Sequence, residues 1–420
     1  VSSPAEHRAL GVVLADDLSG AAEVAGLLLQ RGRPCTVLLG AAAAAPAHAG
    51  TLVVDVDHRC TAPGPGHAAV TAAVAALAPA GLLAVKLDSL WRGHVGATVS
   101  ALQDNGFGVV LAGALPALGR TVVGGVPLVD GVALAGTGLW DREPTTAPAA
   151  VRDLLAAAPQ EVGLAAVRSP GLAGVLRGVV VAGACAVLDA ETDDDLAAAA
   201  RAAALLAGEG HRVALVGSAA LVAAAADATP AADGSCAPAV AEVTVAELTV
   251  ATGPRATAVV AGSGAAATAA QLAYLLAAAP GAAPVLVTPV ADALVPEAPA
   301  ADPLVLSLAG AHPDARAAVV RLAERAVAVV GHRDLVLTGG ETARAVLDRL
   351  GVDLLRPVAQ LSHGAVVSLA RDGRLVATKP GSFGGPAELH DLVLLLRRLR
   401  TAAPGHPRTE PSAPRPLEML

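Results

Sequence analysis

Residues 10–34 read LGVVLADDLSGAAEVAGLLLQRGRP, and the order of residue types in that stretch decides the fold. An unbroken apolar run, Leu10–Ala15, stops at two carboxylates, Asp16 and Asp17, and a helical pattern then runs from Ala21 to Arg31 before Gly32 stops it. A short run that is apolar at every position suits a strand buried on both faces, as in a parallel sheet covered by helices. The alternation recurs along the chain. Further strand candidates are Cys35–Leu39, Thr51–Val54, Leu83–Leu87, Val109–Ala112, Val179–Leu188, Val213–Val216, Thr257–Ala261, Val285–Thr288, Leu304–Leu308, Leu335–Thr338, Ala365–Leu369 and Leu375–Thr378. The class is α/β, and the strands are too many for one sheet of ordinary size. Two α/β domains with mainly parallel sheets are expected, joined where the pattern breaks near residues 230–255.

The whole chain of 420 residues agrees: 54% is hydrophobic and 16% charged, which excludes a disordered chain and allows two or three domains. Two Trp, two Phe and one Tyr leave little for base stacking, and 29 basic against 37 acidic residues give a net charge of −8, so nucleic acid is not expected as a partner. Residues 34–54 and 256–291 carry no formal charge, but prolines interrupt them and no aromatic belt flanks them, so no membrane span is expected. Val1–Leu14 does not read as a signal peptide, and a cytoplasmic protein is expected. Cys35, Cys60, Cys185 and Cys236 lie far apart without a C-x-x-C pair, as suits thiols in a reducing compartment. After Arg400 a proline-rich run favours a disordered tail over 401–420.

Charge and glycine collect where strands end. Asp16 and Asp17 sit at the carboxyl end of the first strand, where open α/β sheets bind ligands, although a helix cap would account for one of them. Asp55-Val56-Asp57-His58-Arg59 follows the third strand. In Lys86-Leu87-Asp88-Ser89-Leu90-Trp91-Arg92-Gly93, strand spacing puts Lys86 and Asp88 on one face, with Arg92 near the next helix start, placed to hold a carboxylate or phosphate. A structural Lys–Asp ion pair is the plainer account. Gly119-Arg120-Thr121 and Val123-Gly124-Gly125 add an arginine beside flexible backbone. In the second half three strands end in glycine: Gly262-Ser263-Gly264, Thr338-Gly339-Gly340-Glu341-Thr342 and Lys379-Pro380-Gly381-Ser382-Phe383-Gly384. Glycines at helix starts let backbone N–H groups approach an anion, so these clusters point together to a phosphate-bearing nucleotide. A dinucleotide-dependent oxidoreductase is disfavoured, because the strand after Gly262-Ser263-Gly264 ends in Thr288-Pro289 with no acid before Asp292.

These residues, with Leu115-Pro116 and Val216-Gly217-Ser218-Ala219, resemble the four-carbon acid sugar kinase family over nearly all of residues 10–395. The resemblance implies an acid-sugar domain over 1–235, a nucleotide domain over 250–400, and a ligand site in the cleft between them. It further implies transfer of the γ-phosphoryl group of ATP, with Mg²⁺, to the terminal hydroxyl of a small acid sugar such as threonate, erythronate or 3-oxo-tetronate. Asp17, Lys86, Asp88 and Arg92 are the expected catalytic residues, and Asp16, Arg59, Ser89, Gly119 and Arg120 the expected acid-sugar contacts. Ser263, Gly339, Gly340, Glu341, Thr342, Gly381 and Gly384 are expected to hold the nucleotide, while no metal ligands stand out. The family reads Asp-Ser-Thr-x-Arg-Gly-Asn where this chain has Leu90 and His94, and Gly-Gly-Asp-Thr where it has Glu341. The second expectation is accordingly a binding protein of the same fold with impaired catalysis. Whether two copies pair as a homodimer stays open.

Overall fold

The structure, a computed structural model, describes residues 10–40, 50–79, 81–141, 143, 145–230, 255–287, 301–308 and 314–401. Residues 231–254 of the expected connection, 402–420 of the expected tail, Cys236 and the stretch from Thr288 to Asp292 lie outside them. The N-terminal half begins β1 (Val12–Ala15), α1 (Leu18–Gln30), β2 (Cys35–Leu39), β3 (Thr51–Asp55), α2 (Pro63–Leu77), β4 (Leu82–Lys86), α3 (Val95–Asp104) and β5 (Gly108–Ala112). A separate antiparallel ribbon follows: β6 (Arg120–Val123), β7 (Val126–Val129) and β8 (Val132–Ala133). The half then closes with β9 (Gln160–Val162), α4 (Leu164–Val167), α5 (Leu172–Val181), β10 (Cys185–Leu188), α6 (Asp193–Gly208), β11 (Val213–Gly217) and α7 (Ala219–Ala228). The C-terminal half begins β12 (Thr257–Ala261), α8 (Ala266–Ala278), β13 (Ala283–Val287), β14 (Leu304–Leu308), α9 (Ala315–Val330) and β15 (Asp334–Thr338). It continues with α10 (Gly340–Arg349), β16 (Leu354–Ser362), β17 (Ala365–Ala370), β18 (Leu375–Lys379) and α11 (Glu388–Thr401).

The α/β class follows from the strands' burial: β3, β4, β5, β11, β12 and β15 are buried at every position, so each needs helices on both faces. With Phe107 as the only aromatic among the largest fully buried side chains, the core is packed from Leu, Val and Ala. One 15-stranded sheet runs β13-β14-β12-β15-β18-β17-β16-β2-β3-β1-β4-β11-β5-β10-β9. The division into separate sheets is thereby corrected. β16 turns back antiparallel and pairs with β2 at Leu354↔Leu38 and Leu355↔Val37, joining two parallel arrays edge to edge. Within each array the strand order reverses once, between β1 and β4 and between β12 and β15, and such reversals open crevices at the strands' carboxyl ends.

Local departures have local causes. The run Val179–Leu188 is not one strand: α5 extends to Val181, Gly183 turns the chain at φ +63°, and only Cys185–Leu188 enters the sheet. Apolar residues continue across the helix end although it is exposed there, Val181 by 65%, so hydropathy alone could not show the break. Gly124 and Gly125, both at positive φ, make the two-residue β6–β7 turn, and their N–H groups donate to Asp189 Oδ2 and Oδ1 at 2.8 and 2.9 Å. That pair is therefore a hairpin turn already holding its anion, and not a free ligand loop. No helix among the described residues is long and apolar enough to cross a membrane.

Candidate active site

At the first reversal point the charged residues pair with one another. Asp17 caps α1, its Oδ1 accepting from Gly20 N at 2.7 Å. Arg59 donates Nε and Nη2 to the two oxygens of Asp16 at 2.9 and 2.6 Å, and Nη1 to Asp17 Oδ2 at 2.6 Å. Arg59, expected as an acid-sugar contact, thus has its fork closed on two aspartates, and Asp16 is buried against it, outside the cleft lining. Burial raises the Asp17 carboxyl, as does Asp16, and the attraction of Arg59 does not cancel this.

The second cluster differs from strand logic. β4 ends at Lys86, so the period of two does not extend to Asp88, and the two side chains go to different partners. Lys86 Nζ lies 3.2 Å from Glu23 Oε2 and donates to Leu87 O at 2.9 Å. Asp88 accepts the fork of Arg92, Nε at 2.7 Å and Nη2 at 2.8 Å, together with the N–H groups of Leu90 and Arg92. Against its burial, those bonds and the charges of Arg59, Arg92 and Lys86 hold the Asp88 carboxyl well below the usual range. Arg92, expected near the next helix start to hold a carboxylate or phosphate, has its fork engaged by the carboxylate of Asp88. Arg120 makes no ion pair among the described residues and donates Nη1 to the Ser89 hydroxyl. Gly119 serves the preceding turn at φ +63°, its α-carbon facing Asp130 Oδ1, where a Cβ would stand 1.9 Å away.

The three glycine clusters of the second half meet at the carboxyl ends of β12, β15 and β18. A Cβ on Gly262 would stand 2.1 Å from Thr342 Oγ1, and one on Gly381 would stand 1.9 Å from Ser263 Oγ. Gly339 adopts φ +95° where β15 turns into α10. Helix α8 holds the third turn: Thr268 Oγ1 donates to Gly381 O at 2.8 Å, and Gln271 Nε2 donates to Phe383 O and Gly384 O at 2.9 and 3.0 Å. Gly384 backs onto Glu388, 2.6 Å from where its Cβ would be. Gly262, Gly339 and Gly381 each pack against a residue of a neighbouring turn, which holds the three turns together, and glycines so placed let backbone N–H groups approach an anion. Gly381→Ala is expected to push Ser263 aside and to lower the melting temperature by a few degrees, measured by differential scanning calorimetry.

Both sets of turns line one cleft of about 1390 Å³, which brings together Asp17, Arg59, Lys86, Asp88, Ser89, Arg92 and Arg120 with Ser263, Gly339, Gly340, Glu341, Thr342, Gly381 and Gly384. The halves touch there. A Cβ on Gly340 would stand 2.8 Å from Asp17 Oδ2 and 2.7 Å from Ser19 Oγ. Arg344 of α10 donates to the fully buried Asp55 at 2.8 Å, and His363, in the β16–β17 turn, lies 2.8 Å from Glu23 Oε1. Sequence reasoning passed over Glu23, His363 and Arg344. Glu23 did carry a signal, being the only charge in α1, whose apolar surroundings oblige it to find a partner.

A two-part α/β protein with a charged, carboxylate-rich crevice facing a glycine cradle belongs to the class that brings a small polar ligand against a phosphate-bearing one. Two family models match the chain, a sugar-binding N-terminal domain over residues 11–225 and a nucleotide-binding C-terminal domain over residues 311–389. The chain belongs to the four-carbon acid sugar kinase family. It is 32% identical over 206 residues to a D-threonate kinase of Salmonella typhimurium, covering 46% of this chain and 48% of that one. To a D-threonate kinase of Cupriavidus necator it is 35% identical over 211 residues, covering 46% and 49%. The chain thus matches about half the length of each of these relatives. A solved Haemophilus influenzae protein, from a domain-of-unknown-function family, shares the fold at 20% identity and a TM-score of 0.66, covering 92% of this chain and all of that one.

Proposed function

We propose that the protein is an ATP-dependent kinase that phosphorylates the terminal hydroxyl of a four-carbon acid sugar, of the threonate, erythronate or 3-oxo-tetronate kind. Residues 1–235 hold the acid and residues 250–400 the nucleotide. The observation that carries this is one cleft in which an arginine that makes no ion pair among the described residues, a buried lysine and a helix-capping carboxylate face three converging glycine turns. Phosphoryl transfer asks the protein for position and charge neutralisation, which are what such a cleft offers. Arg120 and Ser89 receive the substrate carboxylate, and the Lys86 ammonium faces the charge that develops on the transferred group. Asp17, beside Gly340 where the halves meet, orients the hydroxyl and takes its proton, while Asp88 keeps Arg92 in place. The N–H groups of the Gly262, Gly339 and Gly381 turns receive the phosphates.

Among the described residues no three His, Cys, Asp or Glu side chains are grouped to hold a metal ion. Mg²⁺ typically keeps several waters and takes one or two carboxylates beside substrate phosphates, and Glu341, next to the Gly339-Gly340 turn, is the cleft carboxylate suited to that. When bound it neutralises phosphate charge. The test is a coupled ADP-release screen over tetronates and 3-oxo-tetronates with Mg·ATP, in which release is expected only when an acid is supplied. A folded, ATP-binding protein with no acid-dependent release overturns the kinase assignment and leaves a binding protein of this fold.

A further inference from the structure

From a chain of contacts that joins the glycine cradle to Lys86, we infer that Glu23 and His363 are positioning residues, which set the lysine ammonium only when the cradle loop is in place. This rests on the kinase assignment above. The chain of contacts begins at Lys86 Nζ, 3.2 Å from Glu23 Oε2, and passes through the other carboxylate oxygen, Oε1, to His363 Nε2 at 2.8 Å. The His363 ring stacks on Phe383, with centroids 5.7 Å apart and planes at 29°. Phe383 is in the cradle loop, its carbonyl held by Gln271. Gly364 adopts φ +73° beside His363, and a Cβ there would stand 3.2 Å from both Phe383 and Pro380. The β16–β17 turn is therefore seated on the cradle loop at one end and on Glu23 at the other.

Each link has a physical reason to move with the next. Glu23 and Lys86 are buried, so neither charge can turn to water when the other shifts. Burial would raise the Glu23 carboxyl, yet Lys86 and His363 together hold it down to about 2, so it stays an anion tied to both. A stacked ring transmits a loop displacement as a change in where His363 Nε2 points. A lysine misplaced by about 1 Å can cost a hundredfold in rate without weakening binding of either substrate.

The test compares His363→Ala, His363→Gln, Glu23→Gln and the double variant His363→Ala/Glu23→Gln in acid-dependent ADP release, with melting temperatures measured in parallel. His363→Ala is expected to lower kcat roughly tenfold while KM for Mg·ATP and for the acid changes less than about twofold. His363→Gln, whose amide N–H can reach the same carboxylate, is expected to recover most of the loss. The double variant is expected to be no slower than Glu23→Gln alone, as for residues acting in series. An unchanged kcat in His363→Ala, or effects that multiply in the double variant, would overturn the inference while leaving the kinase assignment standing. Wild-type protein that turns over no acid overturns both.

Discussion

Arg59→Met is expected to destabilise the protein by about 3–5 kcal/mol and to lower its melting temperature by roughly 10 °C. The side chain is 16% exposed and joins Asp16 and Asp17, which are 2% and 14% exposed, through three N–H bonds. Removing it leaves two adjacent carboxylates facing each other in a poorly hydrated crevice, and the cost is dominated by those unpaired charges rather than by the lost pair itself. Arg59→Lys is expected to restore less than half of the loss, because a point charge cannot span two carboxylates in the way the planar fork does. Differential scanning calorimetry checks both. A melting temperature within about 2 °C of wild type in Arg59→Met would mean that water replaces the guanidinium and that the crevice is far wetter than its burial implies.

Asp17→Asn separates the helix cap from chemistry. Asparagine caps a helix about as well as aspartate, so the bond from Gly20 N at 2.7 Å is expected to survive, while its NH2 group replaces the oxygen that accepts from Arg59 Nη1, so the melting temperature is expected to fall but the protein to stay folded. The charge and the proton-accepting capacity are lost. Burial lifts the Asp17 carboxyl above the ordinary carboxylate range in spite of Arg59, which brings it nearer to the operating pH of a group that accepts a proton from a hydroxyl. kcat is expected to fall by roughly 10²–10⁴-fold with nearly unchanged affinity for a nonhydrolysable ATP analogue, measured by titration calorimetry. Normal turnover in a stable Asp17→Asn variant would leave Asp17 as a cap alone and move the orienting role elsewhere in the cleft.

Legibility differed between backbone and side chains. The buried strands were readable from residue types because a parallel strand covered on both faces has to be apolar at every position, as Leu82–Val85 and Val213–Val216 are. The ends of strands were readable for a related reason. Charge and glycine are kept to the ends of such runs, so Asp16, Lys86, Gly262 and Gly339 mark where the chain leaves the sheet, and that is where α/β proteins bind ligands. The β6–β8 ribbon and β16 were not legible as strands, since Arg120–Val123 and Leu354–Ser362 take their extended form from partners across a turn or across the halves.

What the sequence by itself determined is the class of fold, the positions at which polar groups emerge from the sheet, and the resemblance those positions carry. Only the tertiary structure decided which charge neutralises which. Residue types marked Arg59, Arg92 and Arg120 alike as candidates to meet an anion, and the fold closes Arg59 on Asp16 and Asp17 and Arg92 on Asp88, while Arg120 makes no ion pair among the described residues. Glu23 finds His363 at a separation of 340 residues, through a turn seated on the cradle loop. The reason is that hydrophobic burial is written into local periodicity, whereas an ion pair depends on distance and desolvation, and both follow from the order in which the strands assemble.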